Sequence, residues 1–168
     1  PSAGGWIAET GEGVRYSFDS IDAVTTPRGT YAWMLSRVET LFGDTTRLEW
    51  IRNPSGRPFL AAVTWGGRGD GTQYRMTFDH AMLAAPFTSY VSGTKQVLDR
   101  RVSRITIGVK SGATYAVRCH YDLAYQSSPS GPGFYLGWVA RTYASGEADP
   151  PISYQYDLNT ELFAAARL

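Results

Sequence analysis

The sequence is poor in the side chains from which most metal and nucleophile sites are built. It holds one cysteine, Cys119, and two histidines, His80 and His120. One cysteine cannot form an intramolecular disulfide, and a structural zinc site needs about four nitrogen or sulfur ligands. Cys119 and His120 are neighbours, so on a strand their side chains would point to opposite faces. We therefore predict no metal and no cofactor, and we interpret Cys119 as a structural thiol in the core.

Lysine and long apolar runs are also scarce. Lys95 and Lys110 are the only lysines, and the formal net charge is +1. Such a chain has no basic field that would attract nucleic acid or an anionic membrane. No apolar run approaches the roughly 20 residues that a spanning helix needs, and no secretory signal pattern is present. We expect no nucleic-acid partner and no membrane span.

Aromatic residues and turn formers are abundant. Aromatics make up 14% of the chain, which also carries 18 glycines and 9 prolines. Aromatic and β-branched residues between glycine and proline turns favour strands. We predict an all-β fold of about nine mostly antiparallel strands, joined by hairpin turns into a curved sheet or a sandwich. Residues 1–168 are interpreted as a single module that is a fragment of a larger parent chain.

Apolar and polar residues alternate along most of the predicted strands. The strongest pattern is Tyr115–Tyr125, which predicts one buried face and one more exposed face. The buried set would be Tyr115, Val117, Cys119, Tyr121, Leu123 and Tyr125. Residues 20–30 are predicted to be a loop, and Tyr31–Glu39 one long strand. The register of residues 79–95 is open, with a short helix at Ala81–Ala85 as one interpretation.

A catalytic site can be sought among the carboxylates, since β-rich glycosidases use a pair of them. Glu39 and Glu49 flank a predicted turn and could face each other across a hairpin. The simpler interpretation is that both are exposed hairpin charges beside Arg37 and Arg47. No nucleophile-elbow motif is present. We assign no catalytic residue, and an enzyme is the least favoured hypothesis.

Two further motifs have ordinary explanations. Arg68-Gly69-Asp70 spells an adhesion tripeptide, but it lies in Gly66–Gly71, a glycine-rich segment typical of a tight turn. That segment also lacks the ending of a phosphate loop. The tryptophans could form a carbohydrate platform, with Trp65 the best placed beside its turn. Trp and Tyr more often supply core area and cross-strand pairs.

The order of the strand motifs resembles that of a known domain. Six segments carry the resemblance, in this order: Trp6–Phe18, Tyr31–Trp50, Phe59–Trp65, Tyr90–Ile105, Val117–Tyr125 and Pro150–Tyr156. Together they are similar to the SpvB-type domain of the Salmonella virulence-plasmid protein and of the B components of insecticidal toxin complexes, which are related to Rhs/YD-repeat proteins. Glu39 and Asp44 replace the usual Asp and Asn of one turn.

The resemblance implies a non-catalytic shell or scaffold module of a secreted bacterial toxin. Its partners would be the rest of the parent toxin chain or other toxin-complex subunits, and the isolated chain could self-associate. The alternative is a carbohydrate-binding β-module that uses exposed aromatic residues.

Overall fold

A computed structural model describes residues 4–26, 29–69, 71–90, 93, 95–127 and 133–156. Twelve strands and one short 3-10 helix, Ser20–Asp22, lie in these ranges. The strands are β1 (Gly5–Glu9), β2 (Arg15–Asp19), β3 (Ala23–Thr26), β4 (Gly29–Trp33), β5 (Arg37–Glu39), β6 (Asp44–Arg52), β7 (Pro58–Arg68), β8 (Tyr74–Ser89), β9 (Gln96–Ser111), β10 (Thr114–Ser127), β11 (Phe134–Tyr143) and β12 (Ile152–Ser153).

Ten of these strands form one antiparallel sheet. Its order is β1-β2-β5-β6-β7-β8-β9-β10-β11-β12, so β1 and β12 lie at the two edges. Apart from the step between β2 and β5, neighbours in the sheet are neighbours in the described sequence. The all-β, hairpin-linked class predicted from the sequence is confirmed, and the main unit is a single open sheet.

A two-stranded sheet interrupts this meander between β2 and β5. Its strands, β3 and β4, pair from Ala23↔Trp33 to Thr26↔Gly29. The predicted loop over residues 20–30 is therefore wrong, and so is the single strand Tyr31–Glu39. Ser36 lies at the break, where its amide and hydroxyl both donate to the Ser17 carbonyl at 2.9 Å. The chain leaves one sheet at Trp33 and enters the other at Arg37, which local alternation cannot show.

The stretch over residues 79–95 is a strand for most of its length. β8 runs to Ser89, so the short helix at Ala81–Ala85 is wrong. The pairing with β9 is interrupted between Met82↔Arg100 and Phe87↔Leu98, which leaves extra residues on β8. Pro86 lies among them, and proline has no amide to give to a ladder. This wide bulge explains why the segment lacks a strand pattern.

The predicted strand at Tyr115–Tyr125 is present as β10, but a bulge divides it. Val117 pairs with Gly108 and Cys119 pairs with Ile107, which leaves Arg118 as the extra residue. Gly108 and Ile107 are consecutive and face opposite sides, so Val117 and Cys119 do as well. The predicted single buried face is therefore wrong: Val117 is 47% exposed, and the residues from Cys119 to Tyr125 are half-buried on both faces.

Little of the described chain is deeply buried. The buried apolar residues are Ala23, Val24, Phe59 and Ala62. Polar residues are as prominent in the interior: Ser36, Thr45, Asn53, Thr64, Thr72 and Asp99. Because one sheet has no second layer over most of its area, its side chains are half-buried by their neighbours on the same face.

Candidate functional site and the two faces of the sheet

An apolar row crosses six strands of the main sheet. Directly paired residues share a face, and successive pairs link Leu48, Val63, Met76, Ile107, Cys119 and Tyr143. We call these six residues the apolar row. A parallel line beside it joins Phe78, Ile105 and Tyr121. All of these side chains are half-buried, so no other described part of the chain covers them fully.

The opposite face is polar. Its central row contains Glu49, Ala62, Thr77, Thr106, His120 and Thr142. Arg75 forms a bidentate pair with Glu49, both contacts being 2.7 Å. Arg104 donates to Asp122 at 2.6 Å. The sheet therefore presents one mainly apolar face, which carries the Arg141–Asp149 ion pair beside Tyr143 at its β11 end, and one face of paired charges.

Within each charge pair on the polar face, the carboxylate stabilises the charged form of its arginine. Hydrogen bonding to Glu49 raises the pKa of Arg75, and hydrogen bonding to Asp122 raises the pKa of Arg104. Both pairs are partly exposed, with Arg104 at 46% and Glu49 at 51% of side-chain area. Exposed ion pairs contribute about 0–1 kcal/mol each. These pairs therefore make the face polar but contribute little to the free energy of unfolding.

Glu39 and Glu49 lie at separate positions along the sheet. Glu39 pairs with Thr45 across the hairpin, whereas Glu49 lies four positions further along β6. At about 3.4 Å per residue, the backbone positions are roughly 14 Å apart along the strand. Glu39 is instead held by Arg37 at 2.9 Å, and Glu49 by Arg75.

The side chains of the histidines and the cysteine do not converge on one site. Cys119 belongs to the apolar row, while His120 is on the polar face, with its Nε2 3.4 Å from an Asp122 oxygen. His80 packs edge-on against Phe59 at 5.7 Å between ring centres. Within the described ranges, no group of three or more His, Cys, Asp or Glu side chains is placed to hold a metal ion.

The tryptophans are distributed rather than gathered into a platform. Trp6 meets Trp33 edge-on at 6.4 Å, and the Trp50 indole donates to the Leu35 carbonyl at 2.9 Å. Trp65 stacks on Tyr74, with ring centres 5.7 Å apart and an interplanar angle of 27°.

The structure describes two of the three residues of the adhesion tripeptide. Arg68 ends β7 and Gly69 is in a turn, but Asp70 lies outside the described residues.

Among the residues described, no helix is long and apolar enough to cross a bilayer.

Comparison with solved structures identifies the fold. No protein-family model matches the sequence, and no curated protein matches it. The N-terminal domain of the effector protein SpvB from Salmonella typhimurium strain LT2 superposes with a TM-score of 0.69 at 13% identity. That match covers 90% of this chain and 61% of the SpvB chain.

Two toxin-complex structures match the same share of the chain. A chain in the crystal structure of TcdB2-TccC3-Cdc42 gives a TM-score of 0.74 at 12% identity. A chain of the Photorhabdus luminescens Tc holotoxin pore gives 0.75 at 13% identity. Each match covers 90% of this chain and 10% of the other. The protein thus has the fold found in SpvB and in Tc toxin chains, as the resemblance of its strand motifs implied, and it spans only part of their length.

Proposed function

We propose that this chain is a non-catalytic scaffold module of a secreted bacterial toxin complex. The observation that carries the proposal is the shared fold, which joins this chain to SpvB and to two Tc toxin structures at TM-scores of 0.69 to 0.75. A module of this kind contributes an extended sheet on which neighbouring parts of a large assembly pack.

The apolar row supports a packing role. Six half-buried apolar or aromatic side chains lie in one line. Covering them with a neighbouring surface would remove apolar area from water, which is favourable. The polar face, with its Arg75–Glu49 and Arg104–Asp122 pairs, suits contact with water. We infer that the rest of the parent toxin chain, or another toxin-complex subunit, packs on the apolar side.

The carboxylates support a structural rather than a chemical role. Each of Glu39 and Glu49 is engaged by an arginine, and their backbone positions are four residues apart in register along β6. We expect the Glu39→Gln and Glu49→Gln variants to leave the toxicity of the parent protein unchanged. Loss of toxicity in a variant that folds and assembles normally would argue for an enzyme.

The packing role is tested in the complete parent protein with two matched substitutions. Ile107→Lys places a charge in the apolar row, and Val117→Lys places the same charge on the polar face near the same height of the sheet. We expect Ile107→Lys to reduce the yield of assembled complex on size-exclusion chromatography and to expose trypsin sites, while Val117→Lys assembles normally. Equal assembly of both variants would overturn the proposal.

A carbohydrate-binding module is the alternative, and one observation favours it. The near-parallel rings of Trp65 and Tyr74 lie next to the glycine-rich turn, and Tyr74 is 42% exposed. Such a pair could stack on a sugar ring. Binding on a glycan array that is lost in Trp65→Ala and retained in Trp6→Ala would support this function over the scaffold.

A further inference from the structure

A cavity of about 420 Å³ lies where the first residues of β7 meet β8, β9 and the start of β11. Its apolar walls include Phe59, Phe78, Leu98 and Phe134. Pockets of roughly 300–1,000 Å³ with apolar walls and a few polar groups are typical of small-molecule sites. The sequence motifs do not account for this cavity, which shares Phe78 with the line beside the apolar row.

Three arginines also line the cavity, each against an aromatic ring. The Arg101 guanidinium carbon lies 4.5 Å from the centre of the Tyr125 ring and 5.2 Å from that of Phe134. Arg100 lies 5.0 Å from the Phe59 ring centre, and Arg57 lies 6.0 Å from the same ring. Stacking on a ring orients a guanidinium while its edge stays able to donate hydrogen bonds. We call the space between these residues the arginine cavity.

The positive charge of the arginine cavity is only partly balanced. Asp99 accepts a hydrogen bond from Arg100 Nε at 3.1 Å. Within the described part of the chain, neither Arg57 nor Arg101 has a carboxylate in contact. His80 lines the same wall, and burial, followed by repulsion from Arg100, lowers the pKa of its imidazole. The lowered pKa of His80 reduces its positive charge near pH 7, and the remaining guanidinium charge has no carboxylate counterion among the described residues.

We propose that the arginine cavity binds a small aromatic carboxylate. The phenylalanine walls would contact the flat apolar body, and the guanidinium groups would donate hydrogen bonds to the carboxylate. Arginine–carboxylate pairs are charge-assisted and stronger than neutral hydrogen bonds. A neutral ligand of the same shape would gain the apolar contacts alone, and a cationic one would be repelled.

The test is calorimetric titration of the 168-residue chain with 2-naphthoate, 2-naphthamide and 2-naphthylmethylamine at pH 7. We expect saturable binding of one 2-naphthoate per chain, at least about ten-fold tighter than binding of the amide, because one charge-assisted hydrogen bond contributes enough for that ratio. The amine should not bind. Arg57→Gln and Arg101→Gln should each weaken 2-naphthoate by about five-fold or more while leaving the amide unchanged.

Arg104→Gln is the matched control, since Arg104 lies on the polar face and is paired with Asp122. It should bind 2-naphthoate like the unmodified chain. Thermal melting of each variant separates loss of the site from loss of the fold, and Arg57, in the turn before β7, supplies a second variant if Arg101→Gln unfolds. Equal affinity for the acid and the amide, equal weakening by Arg104→Gln, or no saturation at millimolar ligand would overturn the proposal.

Discussion

At the scale of single residues, Asn53 ties together segments that are distant in the sequence. Its Oδ1 accepts from the Ser55 amide, the Ser55 hydroxyl and the Arg57 amide, at 3.1, 2.8 and 2.9 Å. Its Nδ2 donates to the Val97 carbonyl of β9 at 2.9 Å. One amide side chain therefore shapes the turn between β6 and β7 and attaches it to β9, and Asn53 is only 5% exposed.

Asn53→Ala should lower the free energy of unfolding by about 2–4 kcal/mol, because four hydrogen bonds are lost and buried partners are left without a replacement. Urea unfolding followed by tryptophan fluorescence measures this. Ser55→Ala is the control, since it removes only one of the four bonds at an exposed serine and should cost about 1 kcal/mol or less. A loss for Asn53→Ala no larger than for Ser55→Ala would contradict this account.

Asp99 makes stability depend on pH in the acid range. The hydrogen bond from Arg100 lowers the pKa of this carboxyl below its ordinary value of 3.8, and it outweighs the opposing effect of burial. The stabilisation is complete above that value and is lost as the pH falls through the lower pKa of the folded state. Between pH 6 and pH 3 the urea midpoint of the unmodified chain should therefore fall more than that of Asp99→Asn. Parallel losses in the two proteins would show that other groups carry the acid sensitivity.

At the scale of elements, bulges and close turns decide which side chains share a face. The extra residues include Ala61 on β7, Ser103 on β9, Arg118 on β10, Gly137 on β11 and a longer stretch around Pro86 on β8. The Arg118 carbonyl accepts from the Ala144 amide at 2.9 Å, so the bulge also attaches the end of β11. Each odd insertion exchanges the two faces of the strand beyond it.

Gly67 tests how tightly the turn after β7 is packed. A methyl group on Gly67 would lie 1.9 Å from the Gly71 carbonyl oxygen, so the backbone would have to move. Gly67→Ala should lower the free energy of unfolding by about 1–3 kcal/mol, as overpacking does. Gly11→Ala is the control, because a methyl group there meets no atom within 4 Å, and it should be neutral within about 0.5 kcal/mol. Equal stability of the two variants in urea would contradict the close approach.

At the scale of the whole molecule, the ten-stranded sheet has no second layer over most of its area among the described elements. Only four apolar residues among those described are buried, which is few for a chain of 168 residues. The edges at β1 and β12 also carry backbone groups that a neighbouring strand could pair. We propose that another surface covers this sheet.

We therefore expect the 168-residue chain to self-associate through its apolar row at micromolar concentration. Sedimentation equilibrium should show dimers or larger species. Ile107→Lys should shift them toward monomer, because burying a lysine in a contact is unfavourable. Val117→Lys should not, since it lies on the polar face. A monomeric unmodified chain would contradict this expectation, and association that survives Ile107→Lys would place the contact elsewhere, for example at the sheet edges.

The amino-acid sequence by itself determined the fold class and most of the strands. Alternation in β2, β6, β8, β9, β10 and β11 is a local property of the backbone, in which successive side chains point to opposite faces. The order of the strand motifs further indicated the SpvB type of fold. The sequence also gives directly the scarcity of histidine and cysteine and the apolar character of residues such as Ile105 and Ile107.

Only the tertiary structure decided which of these residues lie together. Alternation depends only on position along the strand, whereas a bulge depends on how the strand pairs with its neighbour. The exchange of faces at Arg118 could therefore not be predicted from the sequence. The pairing of β3 with β4 was hidden because a short hairpin carries little periodic signal. Arg57, Arg100 and Phe134 meet around one cavity although they are distant in sequence. Their proximity follows from the register of four strands, which long-range hydrogen bonds set and no local pattern encodes.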